Sequence, residues 1–90
     1  MKEITPETVR QFLLLKYLET IKALGLTPAD LRDDFDFLLS GVIDSFGILE
    51  MISAIEEEFG IQLDLEALDA ERITIIGPLS HFVAANGKVA

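Results

Sequence analysis

The chain has no cysteine and no tryptophan, a single histidine, and only seven basic residues among ninety. The lack of cysteine removes disulfides, thiolate metal ligands and cysteine nucleophiles together, so any thiol chemistry is left to a cofactor. One histidine, His81, gives a serine no base with its own orienting acid, as a hydrolase requires. It reads as an ordinary surface histidine. Gly41 lies four residues before Ser45, so the nucleophile pattern G-x-S-x-G is not met. A calcium loop started at Asp33 would need glycine at Leu38 and glutamate at Asp44, and has neither. No glycine-rich run ends in lysine, which excludes a phosphate-binding loop. The longest apolar run, Phe12-Leu13-Leu14-Leu15, falls far short of the roughly 20 residues of a membrane span. Lys2 followed by Glu3 begins no secretory signal. The expectation is a cytoplasmic protein with no enzymatic activity, no metal site and no membrane span.

Sixteen acidic residues leave a net charge of −9. Nucleic acid and anionic membranes repel such a surface, whereas basic protein patches are drawn to it. The expected partners are proteins with basic docking surfaces. Half the residues are hydrophobic, enough for one core in a single domain spanning residues 1–90. A chain of this length buries roughly 60–65% of its unfolded surface.

Thr5-Pro6-Glu7 opens a helix with a hydroxyl cap, proline at the first helical position and an acid in the first turn. The spacing predicts one helix to about Leu24, stopped by Gly25, with Val9, Leu13, Tyr17, Leu18, Ile21 and Leu24 inward. Leu14 and Leu15 widen that stripe, which fits either a deeply buried helix or a patch facing a partner. Residues 26–44 form a long first loop, with a short turn at Thr27-Pro28 and solvated acids at Asp30, Asp33, Asp34 and Asp36. Leu31, Phe35, Leu38, Leu39, Val42 and Ile43 are too many apolar side chains for a free linker. The loop is therefore expected to clamp over the helices, as long connections in compact domains do.

Ser45 is placed as the N-cap of a second helix running from Phe46 to Phe59 and closed by Gly60. Ile48, Met51, Ile52, Ile55 and Phe59 share its core face. Phe46, Leu49, Glu50, Ser53 and Glu57 fall outward. Glu56-Glu57-Glu58 crowds acids where the helix dipole disfavours them, either as a solvated face or for recognition. Ile61 and Leu63, with Leu65 and Leu68, lead through an acidic short segment, Glu66 to Arg72, where a brief third helix is expected. Thr74 is read as the cap of a last helix to about Ala85, with Gly77-Pro78 in its first turn and Leu79, Phe82 and Val83 inward. The core then spans about residues 5–85, and 86–90 reads as a frayed tail. The sum is an all-α domain of three main helices plus a short one.

The stretch from Phe35 to Phe59, with Asp44-Ser45-Phe46, Leu49-Glu50-Met51-Ile52 and Ile55-Glu56-Glu57-Glu58-Phe59-Gly60, resembles the acyl carrier protein family. The likeness covers roughly residues 5–85. It implies a small four-helix bundle with a long first loop. It also implies that Ser45, beside Asp44, receives 4′-phosphopantetheine from coenzyme A through a magnesium-using phosphopantetheinyl transferase. The arm's thiol would hold acyl or aminoacyl groups as thioesters for a loading ligase and downstream synthases or transferases. Phe46, Leu49, Glu50, Ser53 and Glu57 would form the partner face of a monomeric, stand-alone carrier. Ile43, Phe46 and Gly47 depart from the fatty-acid type. They look more like discrete D-alanyl, aminoacyl or polyketide carriers. The competing expectation is an acidic helical adaptor with the same fold and no cargo.

Overall fold

The computed structural model describes residues 3–67, 69 and 71–89, with backbone alone at 65, 88 and 89. Its helices are α1 (Pro6–Lys16), α2 (Leu18–Ala23), α3 (Gly47–Phe59) and α4 (Ile76–Asn86). One-turn 3₁₀ segments lie at Pro28–Asp30 and Leu65–Ala67, and two short strands, β1 (Ile61–Gln62) and β2 (Lys88–Val89), pair antiparallel. This is the expected small helical bundle with a long first loop.

Thr5 and Thr8 exchange hydrogen bonds across the first turn of α1, a capping box that fixes where the helix begins. The helix does not run unbroken to Leu24. Tyr17, at φ −103° and ψ 15°, separates α1 from α2. The amides of Tyr17 and Ile21 still reach the carbonyls of Leu13 and Tyr17. Val9, Leu13, Tyr17 and Ile21 therefore stay buried across the break. Leu18 is half-buried and Leu24 is 45% exposed, because the altered turn rotates the stripe away from them.

The first loop is packed, as its apolar content required. Leu31, Val42 and Ile43 are buried, and Phe35 packs against the core. Leu38 and Leu39 are exposed instead. The residue that anchors the loop is Phe37, fully buried, with its ring 5.5 Å from Tyr17 and 5.4 Å from Phe35.

Three main-chain bonds latch the loop to α4: Phe37 N–H to Thr74 C=O, Ile76 N–H to Phe35 C=O, and Gly77 N–H to Asp33 C=O, each 2.9 Å. The last two satisfy orphan donors of the helix start, and in the first the loop donates to the carbonyl just before it. This is why Thr74 is no cap. The N-cap is Ile75, no side chain assists it, and Thr74 is buried. Pro78, third in the helix, has no donor to satisfy. Gly77 is needed for the approach, since a β-carbon there would lie 2.7 Å from the Asp33 carbonyl oxygen. Arg10 pairs with Asp33 at 2.8 Å and also donates to the Leu31 carbonyl, tying α1 to the same segment.

α1 packs chiefly against α4. Met51, Ile52, Ile55 and Phe59 bring α3 into the core, whereas Ile48 is only half-buried against it. Gly60, at φ 64°, ends α3 with the left-handed conformation that glycine adopts without penalty. The helix expected over Glu66 to Arg72 is absent in that form. A 3₁₀ turn at Leu65–Ala67 and a turn over 71–74 take its place, and residues 68 and 70 lie outside those described. The tail expected at 86–90 is also ordered in part. Asn86 closes α4, and Lys88–Val89 pair with Ile61–Gln62.

Candidate functional site

The first loop delivers the chain to α3 through residues 36–47. The Asp36 carboxylate accepts the amides of Leu38 and Leu39, and the Ile43 amide donates to the Phe37 carbonyl at 3.0 Å. Gly41, at φ 85°, allows the turn between them. Val42 and Ile43 then drop into the core, which leaves Asp44, Ser45 and Phe46 on the surface.

Ser45 is not the cap of α3. Phe46, with helical backbone and no capping side chain, directly precedes α3, and the side-chain cap belongs to the turn leading into it: Asp44 Oδ1 accepts the Gly47 amide at 2.8 Å while the Asp44 carbonyl accepts the same amide at 3.0 Å. Aspartate is as good a cap as serine, and its charge suits the positive helix end. Ser45 and Phe46 form the turn between cap and helix. The Ser45 hydroxyl is exposed and makes no hydrogen bond among the described residues. Gly47 keeps the turn tight, since a β-carbon would meet the Ile43 side chain at 3.1 Å.

Phe46, just before α3, and the outward residues of the helix itself lie as expected. Phe46 is 88% exposed and Leu49 is 66% exposed. Glu50, Ser53 and Glu57 are exposed on the same side. Glu50 pairs with Lys16 of α1 at 2.9 Å. Glu56 turns inward to accept the Leu63 amide at 2.9 Å, so one member of the acidic run braces the chain after the helix. Leu39, expected to pack with the loop's other apolar residues, is instead 86% exposed and adds an apolar side chain just before the site. His81 is exposed on α4. No group of three or more histidine or carboxylate side chains is arranged to hold a metal among the described residues. No helix among them is long and apolar enough to cross a membrane.

The phosphopantetheine attachment site family matches residues 20–75, a stretch centred on this helix start. The chain belongs to that family. It is 32% identical over 68 residues to the acyl carrier protein of Bradyrhizobium sp. (strain ORS 278), covering 76% of this chain and 84% of that protein. The acyl carrier protein of Nitrobacter hamburgensis matches over the same length and identity. That of Wolinella succinogenes is 26% identical over 66 residues, covering 73% of this chain and 84% of the relative. No solved structure gives a significant match.

As a phosphopantetheine-attachment protein, this chain is a carrier and not a catalyst, and its prosthetic group is a covalently attached 4′-phosphopantetheine. The surface at the start of α3 fits such a group. An exposed hydroxyl sits just before a helix N-terminus, whose positive dipole end favours a phosphodiester. The Asp44 carboxylate is already engaged with the Gly47 amide. The other serines have other surroundings. Ser40 donates to the Phe37 carbonyl, Ser53 lies within α3, and Ser80 is 3% exposed.

Proposed function

We propose that Ser45 bears the 4′-phosphopantetheine and that the protein presents acyl or aminoacyl groups to the enzymes of a biosynthetic pathway. The observation that carries this reading is the Ser45 hydroxyl, exposed and unbonded at the start of α3 inside the matched stretch. When bound, the group supplies a terminal thiol on which cargo is held as a thioester. This chain has no cysteine to compete with it. The protein's own task is to hold Ser45 out from the surface. The Phe37 to Ile43 bond and the Asp44 cap fix the backbone on its N-terminal side.

Phe46 and Leu49 form the apolar centre of the partner face, with Glu50, Ser53 and Glu57 as its polar rim. Apolar anchors supply affinity there, and the acids steer partners with basic surfaces. Those partners are a phosphopantetheinyl transferase, an acyl- or aminoacyl-loading ligase and downstream synthases or transferases. A net charge of −9 makes the monomer the favoured state, and the compartment we propose is the cytoplasm. Ile43, Phe46 and Gly47 favour a discrete aminoacyl or polyketide carrier over the fatty-acid type.

Intact-mass measurement after incubation with coenzyme A, magnesium and a broad-specificity transferase tests the assignment. One arm is added to the wild-type protein and none to Ser45→Ala. Attachment that survives in the variant overturns it.

A further inference from the structure

The end of α4 is built on an asparagine–glycine pair that the carrier reading leaves unused. The Asn86 side-chain amide donates to the Phe82 carbonyl at 3.1 Å, and the Gly87 amide donates to the Val83 carbonyl at 3.0 Å. Both satisfy carbonyls that a helix end leaves without partners. Gly87 is also demanded by the approach of β1. A β-carbon there would lie 2.7 Å from the Ile61 side chain and 2.9 Å from the Val83 carbonyl oxygen. Ile61 pairs in turn with Val89, so β1 and β2 fasten the chain just after the helix as a strap. Packing thus fixes a glycine directly after an exposed asparagine.

That pair has a chemistry of its own. With no side chain to hinder the approach, a glycine nitrogen can attack the side-chain amide carbon of the asparagine before it. The new N–C bond closes a cyclic imide, the carbon–NH₂ bond breaks, and the glycine proton leaves with that nitrogen as ammonia. Water then opens the imide at either carbonyl, giving aspartate or isoaspartate. The fold opposes the first step at both partners. The Gly87 N–H is held by Val83, and the Asn86 amide is turned back along the helix to Phe82. We infer that Asn86 is a site of this self-conversion, that it reacts only when the strap opens locally, and that the product keeps the strap from closing again. A carboxylate at this position cannot donate to Phe82 and sits at the negative end of the helix. The last turn of α4 has no basic residue to offset it. Isoaspartate also lengthens the main chain before Gly87, which shifts β2 out of register with β1. The inference does not depend on Ser45 or on the carrier reading.

The test incubates the full chain at mildly alkaline pH and follows conversion by isoaspartate-specific methylation and by the mass of the fragment that holds Asn86. A synthetic peptide of residues 82–90 gives the rate without the fold. Wild type should convert at least about a hundredfold more slowly than the peptide, because its rate tracks a small open population. Gln62→Pro removes an amide from β1. It should speed Gly87 amide hydrogen exchange and conversion together, each by about tenfold or more. Lys88→Pro repeats the measurement should Gln62→Pro leave the exchange unchanged. Asn86→Gln, whose longer side chain closes the ring poorly, should not convert. Asn86→Asp should exchange its Gly87 amide faster than wild type from the start. Equal rates for the folded chain and the peptide overturn the inference. So does a proline variant with fast Gly87 exchange and no faster conversion, or an Asn86→Asp protein that exchanges as slowly as wild type.

Discussion

The Asp44 carboxylate holds the Gly47 amide at 2.8 Å, reaching across Ser45 and Phe46 to close the first turn of α3. The residue proposed to bear the arm and the residue whose carboxylate closes the turn into the helix are therefore neighbours, not one and the same. This division separates the effects of two adjacent substitutions.

Ser45→Ala abolishes arm attachment and leaves stability within about 0.5 kcal/mol of wild type, because the lost hydroxyl had no partner. Chemical denaturation of the unmodified proteins, alongside intact mass, checks both halves. A stability loss above 1 kcal/mol would restore the serine as the cap.

Asp44→Ala removes the cap and costs about 1 kcal/mol. In a domain of this size that corresponds to a drop in melting temperature of roughly 4–8 °C. Asp44→Ser should recover most of it, since serine caps nearly as well. Parallel thermal melts of the two variants measure the difference.

Tyr17 has its hydroxyl buried without a hydrogen-bond partner among the described residues. Burial, helped by the nearby negative charge of Glu50, raises its pKa from 10.0 to about 12. The folded state thus holds the proton more tightly than the unfolded chain does. The stability this represents is fully present below pH 10 and is lost as pH rises toward 12. Tyr17→Phe should flatten that alkaline decline. At neutral pH it should be neutral or stabilising, because an unpaired buried hydroxyl is removed. The chain has a single tyrosine, so ultraviolet titration reads this group alone. A pKa near 10 in the folded protein would contradict the burial.

Gly77→Ala forces a β-carbon to within 2.7 Å of the Asp33 backbone. It should cost about 1–3 kcal/mol, read as a lower urea midpoint at unchanged slope. Ser45 should still accept the arm, because its exposed hydroxyl and the Asp44–Gly47 bond beside it take no part in the latch. An unaltered midpoint would mean that the loop moves aside freely.

Glu50→Lys combined with Glu57→Lys should slow association with a basic transferase, most at low salt. Exposed charges act mainly on encounter rate, and salt screens them over about 8 Å at physiological strength. Breaking the exposed Lys16–Glu50 pair should itself cost no more than about 1 kcal/mol. Modification rates across ionic strengths decide the matter. Equal rates for wild type and variant at every salt concentration would remove this face from the interface.

The parts of the fold that were legible in the sequence are those written in side chains. Thr5-Pro6, the turn at Thr27-Pro28, the stripe Met51–Ile52–Ile55–Phe59 and Gly60 carry capping or periodic signals, and each lies where those signals put it. What escaped is written in the backbone. The break at Tyr17 has no glycine or proline to announce it, and the apolar i, i+4 series runs straight through. α4 is capped by loop carbonyls, so Thr74 looked like a cap in a place that needed none. The strands β1 and β2 are too short for any alternation to show. Phe37 stands among apolar neighbours with no pattern to single it out, although a β-bridge between Asp36 and Ile75 makes it the loop's anchor. At the site, Ser45 stood out by its setting, whereas its capping role went to Asp44 because both residue types cap equally well.

The latch between the first loop and α4 is made of peptide groups, with side-chain demands at only a few positions such as Phe37 and Gly77. Exposed loop residues such as Asp34, Leu38 and Leu39 can therefore be exchanged without loosening the segment that presents Ser45. A carrier built this way can drift toward new enzymes by rewriting the loop's outer side chains. The helix start that serves all of them stays where it is.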